Sequence, residues 1–245
     1  MSVTNKQTGT RVDEVAEGIY RISTPFSEIP GGFSFNQYLI KADQPLLFHT
    51  GPRRMSSLVR EAISSILAIK DLRFIGFSHF ESDECGSLNE LLKLAPDAVP
   101  LCSRVNAMIN GDCFDKSPRV LADGETLSLG NYHLRWFDTP HLPHAWECGY
   151  LMEEKTGTLL CGDLFTQGGD DLAPITESDI LGPSEAFRRK MDYFSHSTKA
   201  EKMLERLAST SPTTLACMHG SAWRGDGAGL LRTLGHTLAA DLQLA

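Results

Sequence analysis

The stretch FSHFESDECG (77–86) contains four side chains that commonly bind metal ions: His79, Glu81, Asp83 and Glu84. It overlaps RFIGFS (73–78), a short apolar run that predicts a buried strand. Loops that follow strands often carry the functional residues of α/β folds. The alternate spacing of 79, 81 and 83 would let an extended loop direct three side chains to one side. A solvated acidic loop that caps a helix is the alternative explanation.

Three downstream segments each carry a metal-binding residue type near the end of a predicted strand. DTPHLPHAWE (138–147) contains His141 and His144, LLCGDLF (159–165) contains Asp163, and LACMHGSAW (215–223) contains His219. Any one of these residues alone would ordinarily be a partly buried histidine or part of a turn. Because these segments occur together with the first motif, we predict that all four segments contribute to the same metal-binding site.

The order of predicted elements indicates a layered α/β sandwich rather than a doubly wound nucleotide-binding fold. Early strands are followed by helices, then by a long β section with two hairpins, and the last third is mostly helical around one strand. No linker or repeat divides the 245 residues, so we expect one domain spanning 1–245. The predicted strands are 18–24, 33–40, 45–48, 73–78, 98–102 and 213–218, the hairpins are 125–139 and 149–163, and the helices are 55–67, 87–95, 103–109, 184–195, 199–209 and 227–242.

Composition narrows the function classes. With 31 acidic against 23 basic residues the net charge is −8, which disfavours nucleic acid as a partner. No apolar run approaches the roughly 18 residues of a membrane span, and the first residues lack the apolar core of a signal peptide. The six cysteines contain no CxxC pair and do not suggest a disulfide framework. We therefore expect a cytoplasmic protein without a membrane partner.

The order H-x-E-x-D-E, then H, D and H resembles the metallo-β-lactamase superfamily, whose usual first motif is H-x-H-x-D-H. With Glu81 at its second position, the motif more closely resembles that of the diiron branch, which has glutamate there. This branch comprises the flavodiiron proteins and the stand-alone oxygen-binding diiron proteins. Further similar segments are NQYLI (36–40), Trp146 two residues after His144, CGDLF (161–165) and MHGSAW (218–223). This resemblance implies the αββα sandwich of the metallo-β-lactamase fold.

Two residues depart from the flavodiiron pattern. Glu84 stands where flavodiiron proteins have histidine, and a carboxylate there resembles the stand-alone oxygen-binding proteins. His49, in LLFHTG (46–51), stands where many superfamily members have aspartate. That aspartate is mainly a structural helper, so we interpret the change as a local rearrangement.

The resemblance also implies how the ligands divide between two metals. His79, Glu81 and His144 would hold one metal, Asp83 and His219 would hold the other, and Asp163 would bridge them. Whether Glu84 joins the second metal stays open. So does the choice between His141 and His144, although the resemblance aligns His144.

The ligand types indicate which metals suit the site. Zinc favours cysteine and histidine, whereas carboxylates combined with imidazoles suit iron or manganese better. Mixed Glu and His sets also build other di-iron and di-manganese centres. We predict two iron ions (Fe²⁺/Fe³⁺), with Zn²⁺ or Mn²⁺ as the alternative.

The resemblance implies a non-haem diiron protein that binds, senses or reduces dioxygen. Flavodiiron proteins receive electrons from FMN in a flavodoxin domain that follows the lactamase-like domain. Because this sequence stops at Ala245, we expect no flavodoxin domain and a separate electron-donor or signalling protein as partner. Head-to-tail dimers serve flavin transfer in flavodiiron proteins, and a homodimer stays open here.

Two other functions remain under this resemblance. One is a binuclear metal-dependent hydrolase, in which His141 could act as an additional acid or base. The other is a non-enzymatic sensor whose site changes conformation with oxidation state. The sequence therefore leaves open whether the protein is an oxidoreductase, a hydrolase or not an enzyme.

Overall fold

The structure, a computed structural model, describes residues 2–244 and contains two β-sheets. The first sheet has eight strands that lie side by side in chain order. Strands β1 to β5 pair antiparallel, and β5 to β8 pair parallel. The strands are β1 (Ser2–Asn5), β2 (Thr10–Ala16), β3 (Ile19–Phe26), β4 (Phe33–Ile40), β5 (Leu46–Phe48), β6 (Phe74–Gly76), β7 (Val99–Ser103) and β8 (Arg119–Leu121).

The second sheet has seven strands in the order β13-β15-β14-β12-β11-β10-β9. The pairs β12–β14 and β13–β15 are parallel, and the remaining neighbours are antiparallel. The strands are β9 (Thr126–Ser128), β10 (His133–Asp138), β11 (Gly149–Glu153), β12 (Thr158–Leu160), β13 (Ile175–Thr176), β14 (Thr214–Ala216) and β15 (Ala222–Arg224).

Seven α-helices connect or cover the sheets. They are α1 (Ser56–Ser64), α2 (Ser82–Cys85), α3 (Leu88–Leu94), α4 (Arg104–Asn110), α5 (Leu181–Met191), α6 (Ala200–Ala208) and α7 (Gly227–Leu244). Short 3₁₀ turns lie at Arg53–Met55, Ile69–Asp71 and Gly111–Cys113.

The layers are held together by three large apolar clusters. Between the sheets, Tyr38 and Phe48 of the first sheet share one buried cluster with Trp136 and Leu151 of the second. A second cluster joins the outer face of the first sheet to α1 and α3. A third joins the second sheet to α6 and α7. The resulting helix–sheet–sheet–helix order confirms the predicted layered α/β sandwich.

Local sequence explains most of the elements. Both predicted hairpins form, since β9 pairs with β10 and β11 with β12. The amphipathic pattern after Met55 produces α1, which buries Val59, Ala62 and Ile63. Five strands were not predicted, namely β1, β2, β8, β13 and β15.

No helix within residues 2–244 is both long and apolar enough to cross a membrane. All six cysteines fall within this described range and are free thiols.

Candidate metal centre

The first motif leaves the end of β6 and crosses to α2. His79 is almost fully buried, and the backbone of Glu81 is extended (φ −140°, ψ 162°). The helical turn α2 then begins at Ser82 and includes Asp83 and Glu84. The prediction of one extended loop directing 79, 81 and 83 to the same side is therefore wrong. Because the chain turns into a helix after Glu81, Asp83 joins a different group of ligand atoms from His79 and Glu81.

Four ligand atoms converge in the first group, from His79, Glu81, His144 and Asp163. Glu81 Oε2 lies 3.0 Å from His79 Nε2 and 3.0 Å from His144 Nε2. Asp163 Oδ2 lies 3.7 Å from His79 Nε2 and 3.8 Å from His144 Nε2. Two imidazole nitrogens and two carboxylate oxygens thus face one point.

The second group consists of Asp83, Glu84 and His219. His219 Nε2 lies 3.3 Å from Asp83 Oδ2 and 3.2 Å from Asp163 Oδ1. Asp163 therefore directs one oxygen at each group, as a bridging carboxylate does. Glu84 is fully buried, and its Oε1 lies 3.9 Å from His79 Nε2.

The structure places His144, rather than His141, beside the other candidate ligand residues. His141 is exposed and lines a separate small cavity with Leu142, Arg188 and Phe194. Its backbone N–H donates to Ala145 O, which turns the loop so that His144 faces inward.

Each inward-facing imidazole is held by a hydrogen bond at its other nitrogen. Nδ1 of His79 lies 2.9 Å from Ser78 Oγ, and Nδ1 of His144 lies 3.0 Å from the carbonyl oxygen of Tyr193. Nδ1 of His219 lies 2.8 Å from the carbonyl oxygen of Ser34. A proton on each Nδ1 leaves the Nε2 lone pair free to bind a metal.

The loop that carries His219 is fixed by side chains of β3 and β4. Asn36 Nδ2 donates to Cys217 O at 2.9 Å and to Gly220 O at 2.8 Å. Tyr38 Oη donates to Cys217 O, and the buried Arg21 donates to Gly220 O. These contacts explain two residues of the NQYLI segment: Asn36 and Tyr38 hold the carbonyl groups on either side of His219.

Aromatic rings cover the His219 side of the site. The Phe33 ring stacks on the His219 ring with centroids 4.3 Å apart, and Phe35 contacts His219 edge-on at 5.6 Å. Trp146, by contrast, is exposed, and neither Trp146 nor Trp223 has a ring contact with His79, His144 or His219 among the described residues. Phe33 was missed because an aromatic residue at a strand start resembles ordinary core.

The protein groups of the site alter one another's protonation. Burial lowers the pKa of His219, but hydrogen bonds to Asp163 and Asp83 outweigh this and raise it to about 10. Hydrogen bonds from His144 and His79 lower the pKa of Glu81 to about 2. Burial raises the pKa of Glu84 well above its usual value. A cation that enters must therefore displace protons from His219 and Glu84.

The buried oxygen atoms fit a cation. Within residues 2–244, neither oxygen of the buried Glu84 has a hydrogen-bond partner of acceptable distance and angle, although Asp83 is near enough to raise the pKa of Glu84, whereas Asp163 Oδ1 lies 3.2 Å from His219 Nε2. Buried carboxylates without such partners are costly unless a positive charge lies beside them. All ligand atoms within each group lie within 4.8 Å of one another, so each group can surround one metal ion.

Comparison with known proteins identifies the family to which the chain belongs. Residues 33–220, more than half of the chain, match the family described as ODP family beta lactamase. This chain belongs to the ODP family. The resemblance inferred from the H-x-E-x-D-E motif is thereby confirmed.

Curated relatives of the ODP-family chain are longer proteins. The anaerobic nitric oxide reductase flavorubredoxin of Salmonella arizonae is 29% identical over 209 residues, which cover 79% of this chain and 42% of that protein. The putative diflavin flavoprotein A 2 of Nostoc sp. is 27% identical over 140 residues, 56% of this chain and 24% of that protein. The chain spans less than half the length of these relatives.

Solved structures confirm the fold of the ODP-family chain. The flavodiiron protein from Giardia intestinalis has a TM-score of 0.82 at 18% identity and covers 95% of this chain and 60% of that one. A fragment of the putative diflavin flavoprotein A 5 from Nostoc sp. also has a TM-score of 0.82 at 18% identity, with 96% and 97% covered. The predicted αββα sandwich of the metallo-β-lactamase fold is therefore correct.

Proposed function

We propose that this ODP-family domain is a non-haem diiron protein that binds and reduces dioxygen, with nitric oxide as a second diatomic substrate. The arrangement around Asp163 carries the proposal, because its two oxygens face two separate groups of ligand atoms. Metals in two-metal sites are typically about 3.5–4 Å apart, a separation that one carboxylate can bridge.

The donor set favours iron. Three imidazoles and four carboxylates line the two groups, and no cysteine belongs to either group among the described residues. This combination suits iron or manganese better than zinc. The predicted pair of iron ions agrees with relatives named as flavodiiron or flavo di-iron proteins.

We assign the ligands as the two groups place them. His79, Glu81 and His144 hold one iron, Asp83, Glu84 and His219 hold the other, and Asp163 bridges. Bound ferrous ions would supply electrons for reduction of a diatomic ligand. The chain fixes the orientation of each imidazole through Nδ1 and limits water on the His219 side with Phe33.

We propose that the electrons come from a separate protein or domain. The relatives include proteins named flavorubredoxin and rubredoxin oxygen:oxidoreductase, names that refer to flavin and rubredoxin in those proteins. A sensor that only cycles between two oxidation states would use the same site with slow electron supply. The six free thiols suit a reducing compartment such as the cytoplasm.

The hydrolase alternative has lost its specific support. The two-metal chemistry of the fold still permits it, but His141, the residue in its favour as an additional acid or base, lines a cavity separate from the two groups of ligand atoms.

Metal content and oxygen reactivity test the proposal. Protein expressed with ample iron and purified without oxygen should contain about two irons per chain and little zinc. After reduction it should consume dioxygen, and Glu81→Ala should abolish this. Glu177→Ala, which changes an exposed glutamate, is the matched control. Two zincs per chain and no reaction with dioxygen or nitric oxide would contradict the proposal.

A sensor and a reductase differ in turnover. With excess chemical reductant, a reductase consumes many equivalents of dioxygen per site. A sensor is oxidised by dioxygen and, because its electron supply is slow, returns to the reduced state only slowly, so it consumes little dioxygen over the same time.

A further inference from the structure

Ser78 connects the ligand residue His79 to a second buried imidazole. Its Oγ lies 2.9 Å from His79 Nδ1 and 3.1 Å from His49 Nε2. The backbone N–H of Ser78 donates to the same His49 nitrogen at 3.3 Å. All three residues are about 1% exposed, so water does not compete for these hydrogen bonds.

The direction of these hydrogen bonds follows from the backbone donor. Because the Ser78 N–H donates to His49 Nε2, that nitrogen carries a lone pair and the His49 proton is on Nδ1. The Ser78 hydroxyl then donates to His49 Nε2 and accepts the Nδ1 proton of His79. When a metal is bound, this tautomer would leave the His79 Nε2 lone pair for it, on the side that faces Glu81, His144 and Asp163.

His79 differs in this respect from the other two ligand histidines. The Nδ1 atoms of His144 and His219 contact backbone carbonyl oxygens, which are present whatever the side chain. The Nδ1 atom of His79 instead contacts the hydroxyl oxygen of Ser78. How strongly this oxygen accepts a hydrogen bond depends on which atom receives the proton of the same hydroxyl. Residue 49 therefore influences His79 from two hydrogen bonds away.

The fold holds His49 in place for this contact. Its backbone has φ 67°, a left-handed conformation that asparagine, aspartate and histidine tolerate better than most residues. Its N–H donates to Gly76 O at 2.8 Å, and its ring lies 4.3 Å from the Phe48 ring. Burial lowers the pKa of His49 to about 3, so the imidazole is neutral at physiological pH. Gly162 leaves the required space, since a Cβ there would lie 3.0 Å from Ser78 Oγ.

We infer that His49 is a positioning residue which, through Ser78, fixes the tautomer of His79 and sets how strongly His79 donates to its metal. This inference rests on the proposed function, because it assigns His79 as an iron ligand. A stronger acceptor at Nδ1 makes an imidazole a more basic ligand. A more basic ligand stabilises ferric over ferrous iron and lowers the reduction potential of the site.

The reduction potential of the iron-loaded protein tests this inference. Ser78→Ala removes the acceptor and should raise the potential relative to wild type. His49→Asp keeps an acceptor but adds negative charge, so it should lower the potential. His49→Asn tolerates the same backbone conformation and keeps a neutral acceptor in its amide oxygen, so it should change the potential less than Ser78→Ala does. Ser184→Ala, at a buried serine on α5, is the control and should leave the potential unchanged.

Opposite shifts from Ser78→Ala and His49→Asp support the inference, because general loosening of the site would not reverse sign between them. Shifts equal to that of Ser184→Ala in iron-loaded variants would overturn it and leave the proposed function intact. If His49→Asp does not fold, a higher potential in Ser78→Ala than in His49→Asn supports the inference, and equal potentials in the two variants overturn it.

A second measurement separates this inference from the proposed function. If the wild type binds zinc and no iron, the proposed function is wrong. Competition of zinc with a chelator then tests the Ser78 contact: Ser78→Ala should bind zinc roughly tenfold to a hundredfold more weakly, as is typical when the partner of a ligand histidine is lost. Equal affinity in Ser78→Ala and Ser184→Ala would overturn the inference.

Discussion

The Nε2 atoms of His79 and His144 lie 2.9 Å apart although the two residues come from different sheets. The first ring follows β6 of the first sheet, and the second lies in the loop between β10 and β11 of the second sheet. Two ring nitrogens this close need a proton or a metal between or beside them, because their lone pairs repel. The site therefore ties the two halves of the sandwich together.

Asp163 is expected to matter more for metal content than any residue that faces one group only. Asp163→Ala should lower occupancy at both positions, whereas Glu81→Ala and His219→Ala should each lower it mainly at one. Elemental mass spectrometry on protein purified without oxygen measures this. Two metals per chain in all three variants would disprove the ligand assignment.

Glu84→Gln should affect the metal-loaded protein far more than the metal-free protein. Burial raises the pKa of Glu84, so without metal its carboxyl is already neutral and an amide replaces it at little cost. With metal, the carboxylate supplies charge that the amide lacks. Thermal unfolding of both forms should show a lower Tm for the variant only when metal is bound. An equal decrease in the two forms would mean that Glu84 is a packing residue.

Stability of the metal-free protein should decrease between pH 6.5 and 8.5. The pKa of His219 in the folded protein is about 10, above its usual 6.5. Protonated His219 therefore favours the folded state fully below pH 6.5, and this contribution is lost as pH rises toward 10. The raised pKa of His79 acts in the same direction.

Urea unfolding of chelator-treated protein at several pH values measures this dependence. His219→Gln should make the curve flatter, whereas a variant at the exposed His236 should not. Metal-loaded protein should show the opposite trend, since metal affinity falls when protons compete for the same nitrogens. A metal-free protein whose stability rises over this interval would contradict the assigned ion pairs.

Cys85→Ala should leave metal content unchanged. Cys85 follows Glu84 directly and its thiol donates to Glu81 O, but burial raises the pKa of the thiol to about 12. Such a thiol is a poor ligand and a poor nucleophile. A maleimide should label the exposed Cys113 quickly and Cys85 slowly. Loss of metal in Cys85→Ala would show that the thiol contributes to the site.

Asn36→Ala should destabilise the protein by about 1–3 kcal/mol, since it removes two buried hydrogen bonds to the loop of His219. Asn89→Ala also removes two side-chain hydrogen bonds, one donated to Cys113 O and one accepted from Asp115 N, but both are exposed, so it should cost at most about 0.5 kcal/mol. Denaturant titration of both variants measures the difference. Equal effects would mean that Asn36 does not hold the loop.

The sequence predicted the residues that converge at the candidate metal centre better than the residues that surround them. His79, Glu81, Asp163 and His219 have recognisable types and spacing, whereas contacts to Ser78 Oγ, Ser34 O and Tyr193 O leave no pattern in the chain. Serines and backbone carbonyl groups are found throughout any sequence, so their presence does not mark a site. Their roles depend on which strands become neighbours in three dimensions.

Strand β2 shows the same limit in the fold. Its sequence TRVDEVA lacks clear alternation because Asp13 is buried, 3.9 Å from the buried guanidinium of Arg21 on β3. Polar residues within a strand suggest an exposed segment unless their partner is known. The extended-loop prediction for 79–83 failed for a related reason, since the same spacing is compatible with the helical turn α2.

The distribution of ligands along the chain also sets when the metal centre can form during synthesis. Asp83 and Glu84 leave the ribosome early, but their partner His219 follows β14, the penultimate strand of the chain. Until residue 219 has emerged, a nascent chain presents Asp83 and Glu84 without the imidazole of their own group. Iron insertion should therefore be a late event that follows the docking of the second sheet, and an intermediate that holds only the first sheet should bind metal weakly.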